Sequence, residues 1–356
     1  MGLPSINITF TEAAVNAFTM SDRGRVAIIM PHGESTAVYK FESASDVAKQ
    51  SEWTDDEKGY VQRAFLGYVN QPRSVTVVTI SESDEDLSNG LAVLETMASE
   101  IDYVCGPSTC TSTEATEIVT WIKDMWTAGL RPRAVVPNTA ADFEGVVNFT
   151  ATGIIADDKE YNTAAYCSRI AGLICGTPLS MSCTSAVLPE VSAVTRLSKS
   201  DLDTAIDQGQ FVLFHDGEKV KVGRGVTSLV TTAGKPVQFK KIKIVDAVAM
   251  IKTDLTMQIQ DNYIGQYANT YDNKCVLITA IQGYLDALEA EGVLNPGSVV
   301  DIDIDAQLAY LKTQGVDTSE MSEQEIKEAP TGTNVFLRAS IKILDAIEDI
   351  ELNITI

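Results

Sequence analysis

The two ends of the chain alternate apolar and polar residues with period two. Near the amino end Ile6, Ile8 and Phe10 are separated by Asn7 and Thr9. At the carboxyl end Ile350, Leu352, Ile354 and Ile356 are separated by Glu351, Asn353 and Thr355. Period two predicts strands with one apolar face. Chain ends are ordinarily polar and frayed, so terminal strands of this kind need a pairing partner. A second run, residues 335–343, sets Val335, Leu337, Ala339, Ile341 and Ile343 against polar or larger neighbours and predicts another strand. Residues 345–349, bounded by Asp345 and Asp349, separate it from the last one.

Between the ends the pattern changes twice. Residues 26–30 read as a buried strand, stopped by Pro31 and Gly33. From Arg73 to Ala171, apolar runs at 75–80, 102–105, 134–136, 146–149 and 153–155 alternate with helical stripes. One stripe follows the acids at 82–86 and carries Leu91 and Leu94; another carries Ile118, Ile122 and Met125; a third spans 163–174. Strand–helix repeats with short connections predict a largely parallel, helix-covered sheet. Residues 211–214 and 219–222 flank Asp216-Gly217, a hairpin signal. Beyond a soft boundary at 225–235 the reading is a strand at 239–244, a long helix with Val248, Ile251, Leu255 and Ile259, and a second helix ended by Gly292. The fold class is therefore α/β plus α+β. The expected organisation is an arm over 1–22, an α/β domain over 23–225, an α+β domain over 226–344 and an arm over 345–356.

With 356 residues the chain can build two domains and a sizeable core. Its 27 basic residues against 49 acidic ones give a net charge of −22, which argues against a nucleic-acid partner. No apolar run is long enough to span a bilayer, and the first residues lack the basic and apolar regions of a signal peptide. Location in the cytoplasm of the producing cell is the expectation. The six cysteines form no Cys-x-x-Cys pair and there are only two histidines, so neither a zinc set nor any other metal or cofactor site is expected.

Candidate chemistry gives way to simpler readings. Gly106-Pro-Ser108-Thr-Cys110 lacks the closing glycine of a nucleophile elbow, and His32 and His215 sit at strand ends as turn residues. Gly223-Arg-Gly225 lacks the third glycine of a dinucleotide loop. Asp301, Asp303 and Asp305 resemble the start of a calcium loop, but Ala306 and Lys312 stand where glycine and glutamate are needed. Val300, Ile302 and Ile304 facing a core, with Asp305 capping the next helix, accounts for them. Lys235, Lys240, Lys241 and Lys243 are the one basic island, suited to an acidic neighbour or to a solvated strand face. Donated terminal strands would produce head-to-tail contacts, which make rings or helical polymers. The competing reading is a cytosolic α/β enzyme with an unrecognised acidic active site.

The opening Gly2 to Phe10, the segment Ser21 to Ile28, the segments Phe239 to Asp246 and Asp261 to Gly265, and the ending Phe336 to Ile356 resemble contractile tail sheath proteins. The similarity is to the short form found in Gram-positive myophages, defective prophages and R-type bacteriocins, and it covers nearly the whole length. It implies a virion structural protein, not an enzyme. Such a subunit polymerises helically around a tail tube by strand exchange and contracts to drive the tube through a cell envelope. Carried over, Ile6, Ile8 and Phe10 form the donated amino-terminal strand and Ile350, Leu352, Ile354 and Ile356 the carboxyl-terminal one. Val335, Leu337, Ile341 and Ile343 belong to the receiving sheet. Gly24, Asp345 and Asp349 are expected hinges. The implied partners are further copies of the chain, the tail tube protein, and baseplate and tail terminator proteins, with no nucleic acid and no membrane insertion. The implied destination is a released phage tail or tail-like particle.

Overall fold

A computed structural model describes residues 18–20 and 23–355. They divide into two compact units: residues 254–344 with 18–20, and residues 23–253 with 345–355. The expected strand at Ile6, Ile8 and Phe10, and Ile356, lie outside the described residues.

The larger unit is built on a seven-stranded sheet. Six strands are β1 (Arg25–Pro31), β2 (Ala37–Phe41), β3 (Ser74–Ile80), β4 (Tyr103–Cys105), β5 (Arg133–Pro137) and β6 (Val146–Phe149). The seventh is the short strand Gln210–Phe211. The order is Gln210–Phe211, β6, β5, β4, β1, β3, β2, parallel throughout except for β2. β1 shows why the strands read as continuous apolar runs: Val26, Ile28 and Met30 enter the core on one face, Ala27 and Ile29 the core on the other. Helices Ser88–Thr96 and Ser112–Thr127 supply Leu91, Leu94, Ile118, Ile122 and Met125 to one side. Helices Asp55–Ala64 and Cys167–Cys175 supply Tyr60, Val61, Ile170 and Leu173 to the other. The last two helices cross so closely at Gly172 that a Cβ there would lie 1.8 Å from the Ala64 carbonyl oxygen.

A buried ion cluster pins the start of this unit to the sheet. Arg133 Nε lies 2.9 Å from Asp246 Oδ1, and Arg23 Nη2 lies 2.5 Å from Asp246 Oδ2. Tyr103 Oη donates to Asp246 Oδ1 at 2.8 Å. Beside them Asp102 Oδ2 accepts from the backbone N–H groups of Gly24 and Arg25 at 2.8 and 2.9 Å. Burial opposes ionisation of Asp102, yet the guanidinium groups of Arg133, Arg25 and Arg23 hold its carboxyl below the ordinary value.

The smaller unit packs the antiparallel pair Val299–Ile302 and Leu337–Ser340 against helix Tyr271–Ala290. Helices Ile304–Thr313 and Glu323–Glu328 enclose a satellite cluster of Leu311, Ile326 and Ala329.

Several sequence expectations are corrected here. The strand expected at 239–244 is a 3₁₀ turn, Val237–Lys240, followed by the start of helix Ile242–Asn262; Ile242, Val245 and Ala249 are buried at helical spacing. Because those residues pack in the larger unit, the units part at Thr253 and Asp254, inside that helix, not at 225 and 226. Asp303, not Asp305, caps helix Ile304–Thr313, accepting from Ala306 N at 3.0 Å. Ile304 is therefore the first helical residue and not a strand residue. The strand expected over 335–343 forms only at Leu337–Ser340, with a separate bridge from Ile343 to Leu294. Its partner has four residues, and Asn295-Pro296-Gly297 intervenes before pairing resumes.

Candidate assembly site

The smaller unit leaves a sheet edge and an apolar cleft open. Gln282 closes the far edge of Val299–Ile302: its Oε1 accepts from Val300 N at 3.1 Å and its Nε2 donates to Ser298 O at 2.9 Å. The outer edge of Leu337–Ser340 has no strand partner among the described residues. Beside it lies a cleft of about 870 Å³, bordered by Leu255 and Ile259 of one helix, Leu277 and Ile281 of the next, and Leu337 and Ala339 of the strand. Of the receiving-sheet residues expected from sequence, Val335 and Ile341 are exposed, and Leu337 and Ile343 are half-buried. A sheet face this apolar is ordinarily covered.

The amino-terminal connection is rooted in the same unit. Phe18 is buried with its ring edge-on to Tyr263, the centroids 5.7 Å apart. Gln258 brackets Thr19 as a neighbouring strand would, accepting from its N–H at 2.6 Å and donating to its carbonyl at 2.7 Å.

The carboxyl-terminal segment belongs to the larger unit. Residues 345–355 form no strand, having no ladder partner among the described residues. Ile347, Ile350, Leu352 and Ile354 are 86, 81, 76 and 77% exposed. The acids between them do the docking. Asp345 pairs with Lys241, and Asp349 with Arg224 at 2.6 Å. Glu348 accepts from Ser182 Oγ and Thr184 Oγ1 at 2.9 and 2.6 Å. The acidic neighbour of the basic island is thus, in part, the chain's own end. Lys235 pairs with Glu144 instead, and Lys243 donates to Ser180 O.

The structure also locates the expected hinges. Gly24, at φ +96°, is held at both backbone groups, donating to Asp102 and accepting from Arg73 N at 2.8 Å. It is a hydrogen-bonded turn, and residues 18–20, before it in the chain, belong to the smaller unit. Asp345 begins the docked strip just after the boundary at Leu344, and Asp349 ends it. Sequence reading missed the docking of this strip, because Ser182, Thr184, Arg224 and Lys241 are remote in the chain.

Elsewhere the candidate chemistry disperses. His215 Nδ1 accepts from Gly217 N within the hairpin turn, and His32 Nδ1 lies 2.9 Å from Glu57 Oε1. Asp301 pairs with Lys327. No cluster of His, Cys, Asp or Glu among the described residues could hold a metal, and no helix among them is long and apolar enough to cross a membrane.

Among the described residues the smaller unit thus has an open edge and an apolar cleft, and the carboxyl-terminal segment an exposed apolar row. The fold matches the contracted helical sheath of the anti-feeding prophage at a TM-score of 0.75 and 14% identity, covering 100% of this chain and 99% of that one. It matches the sheath tail protein of Desulfitobacterium hafniense at 0.67 and 15% identity, covering 84% and 94%. Residues 82–228 match the phage tail sheath protein central domain, and residues 235–356 the phage tail sheath C-terminal domain. The tail sheath protein of Clostridium phage phiCD119 is 35% identical over 360 residues, 99% of each chain. The chain belongs to the phage tail sheath family and is a structural subunit of a contractile sheath.

Proposed function

We propose that copies of this chain polymerise helically around a tail tube by exchanging terminal strands, and that the polymer shortens to push the tube through a cell envelope. The observation that carries the reading is a complementarity within one chain. Its last residues present unpaired apolar alternation, and its smaller unit presents an unpaired edge beside an apolar cleft. Adding a strand to that edge satisfies its backbone groups and covers Val335, Ala339 and Ile341. Ile350, Leu352 and Ile354 are the carboxyl-terminal donors, Ile6, Ile8 and Phe10 the amino-terminal ones, and Val335, Leu337, Ile341 and Ile343 the receiving strand. Such a contact is heterologous and propagates as a helix.

The protein acts without turnover, as a packing unit. Beyond itself its partners are the tube, the baseplate and the terminator, met in the cytoplasm during assembly and retained in the released tail or tail-like particle. Nucleic acid and membrane play no part in its contacts. Contraction moves the folded units as rigid bodies, with bending before Gly24, at Leu344–Asp345 and beyond Asp349.

Leu352→Asp, Ile354→Asp and deletion of residues 350–356 test the reading. These side chains are exposed in the single chain, so circular dichroism and melting should match the parent. A carboxylate on the buried face of an added strand costs several kcal/mol unless paired, so cylinders should vanish from negative-stain images. Full-length cylinders from the deletion variant would refute strand exchange.

A further inference from the structure

We propose that Glu348 is the positioning residue of the carboxyl-terminal arm: its carboxylate fills a socket made by Ser182, Thr184, Arg224 and Lys241 and so fixes where the arm leaves the larger unit. The inference rests on the strand-donation reading and adds to it the device that aims the strand. It starts from an inversion of the usual burial order. In the stretch 347–350 the glutamate side chain is 5% exposed while Ile347 and Ile350 on either side of it stand in solvent. Hydrophobic collapse would do the opposite, so a specific polar interaction holds this segment.

The hydroxyls of the socket are held by hydrogen bonds that do not involve the arm. Ser182 Oγ accepts from Thr184 N at 3.1 Å, and Thr184 Oγ1 accepts from Gly225 N at 2.9 Å. Thr184 Oγ1, engaged as an acceptor, has its proton left to donate to Glu348 Oε1 at 2.6 Å, while the single Ser182 proton is shared between Glu348 Oε1 and Thr184 Oγ1, each 2.9 Å away. The second oxygen, Oε2, makes no hydrogen bond and lies 3.4 Å from Arg224 Nε and 3.7 Å from Lys241 Nζ. A site with hydroxyl donors at one oxygen and two cations near the other suits a carboxylate. The flanking pairs, Asp345 with Lys241 and Asp349 with Arg224, are more exposed and screened by salt, so they assist without defining the position. Rooted this way, residues 350–355 are held with their isoleucines and leucine free, and less ordering is left to be done when a neighbour's edge meets them.

The test compares full-length Glu348→Ala, Glu348→Gln and Arg224→Glu with the parent and with the deletion of residues 350–356. Amide exchange is read in the unassembled chain, and the threshold concentration for cylinders in the assembly reaction. For Glu348→Ala the account expects exchange at 345–349 to accelerate about tenfold and the threshold to rise about tenfold, with core melting unchanged. Arg224→Glu should behave similarly. Glu348→Gln should fall between, because its amide oxygen still accepts from Ser182 and Thr184. Unchanged exchange in Glu348→Ala overturns the socket; accelerated exchange with a parental threshold overturns its positioning role. Cylinders from the deletion variant would instead sink strand donation itself, whatever Glu348 does.

Discussion

Asp246 joins distant parts of the chain through one buried carboxylate. Arg23, Tyr103 and Arg133 all reach it, from the first described residues of the larger unit and from two central strands. Asp246→Asn keeps the shape and removes the charge, leaving Arg23 and Arg133 with only the neighbouring Asp102 to balance them. Breaking a buried pair in this way costs about 3–5 kcal/mol, so urea unfolding of the larger unit should shift by that amount. Asp102 makes stability depend on pH with a definite sign. Its folded value lies below its unfolded one, so its contribution is present above the ordinary aspartate range and is lost as pH falls through the folded value. Melting temperature should drop on acidification below about pH 4, and Asp102→Asn should flatten that drop. Neither carboxylate was legible in the sequence. Asp102 read only as the start of an apolar run and Asp246 only as the end of a segment carrying the resemblance, because charge partners remote in the chain leave no periodic trace.

Elements with strong local signals were legible. The helix after Thr111 shows a capping box, Glu114 N to Thr111 Oγ1 at 3.3 Å and Thr111 N to Glu114 Oε2 at 2.7 Å, and its apolar stripe is buried as spaced. Buried parallel strands announced themselves as unbroken Val and Ile runs. Residues 34–72 went unread, although Thr54 and Glu57 form the same kind of capping box ahead of helix Asp55–Ala64. The antiparallel strand β2 stayed hidden because only Phe41 of its five residues is buried. The 239–244 stretch misled through its β-branched isoleucines, where packing against the larger unit overrides propensity. One helix crossing carries a sharp expectation. Gly172→Ala would press a methyl into the Ala64 carbonyl, so helices Asp55–Ala64 and Cys167–Cys175 must separate. A loss of about 1–3 kcal/mol is expected in chemical denaturation, with assembly retained at low temperature.

For the whole molecule the assembly parts were legible as pattern and not as geometry. Alternation at the carboxyl end predicted a strand, and residues 350–355 form none in the single chain; the acidic tether that roots the segment required the fold. A contractile sheath needs two packings of one subunit whose small free-energy difference sums over many copies. A chain of net charge −22 packed against copies of itself brings like charges together, so added salt should favour the state with the denser subunit contacts. Sedimentation of cylinders across a salt series, with lengths read by microscopy, checks that direction. The central claim is that terminal strands hold the polymer together, and cryo-electron microscopy of cylinders assembled from the full chain tests it most directly. The account predicts density for residues 350–355 as a strand on the outer edge of Leu337–Ser340 in a neighbouring subunit, with the cores of both units unchanged. A cylinder in which 350–355 folds back on its own subunit, or pairs with nothing, would contradict it.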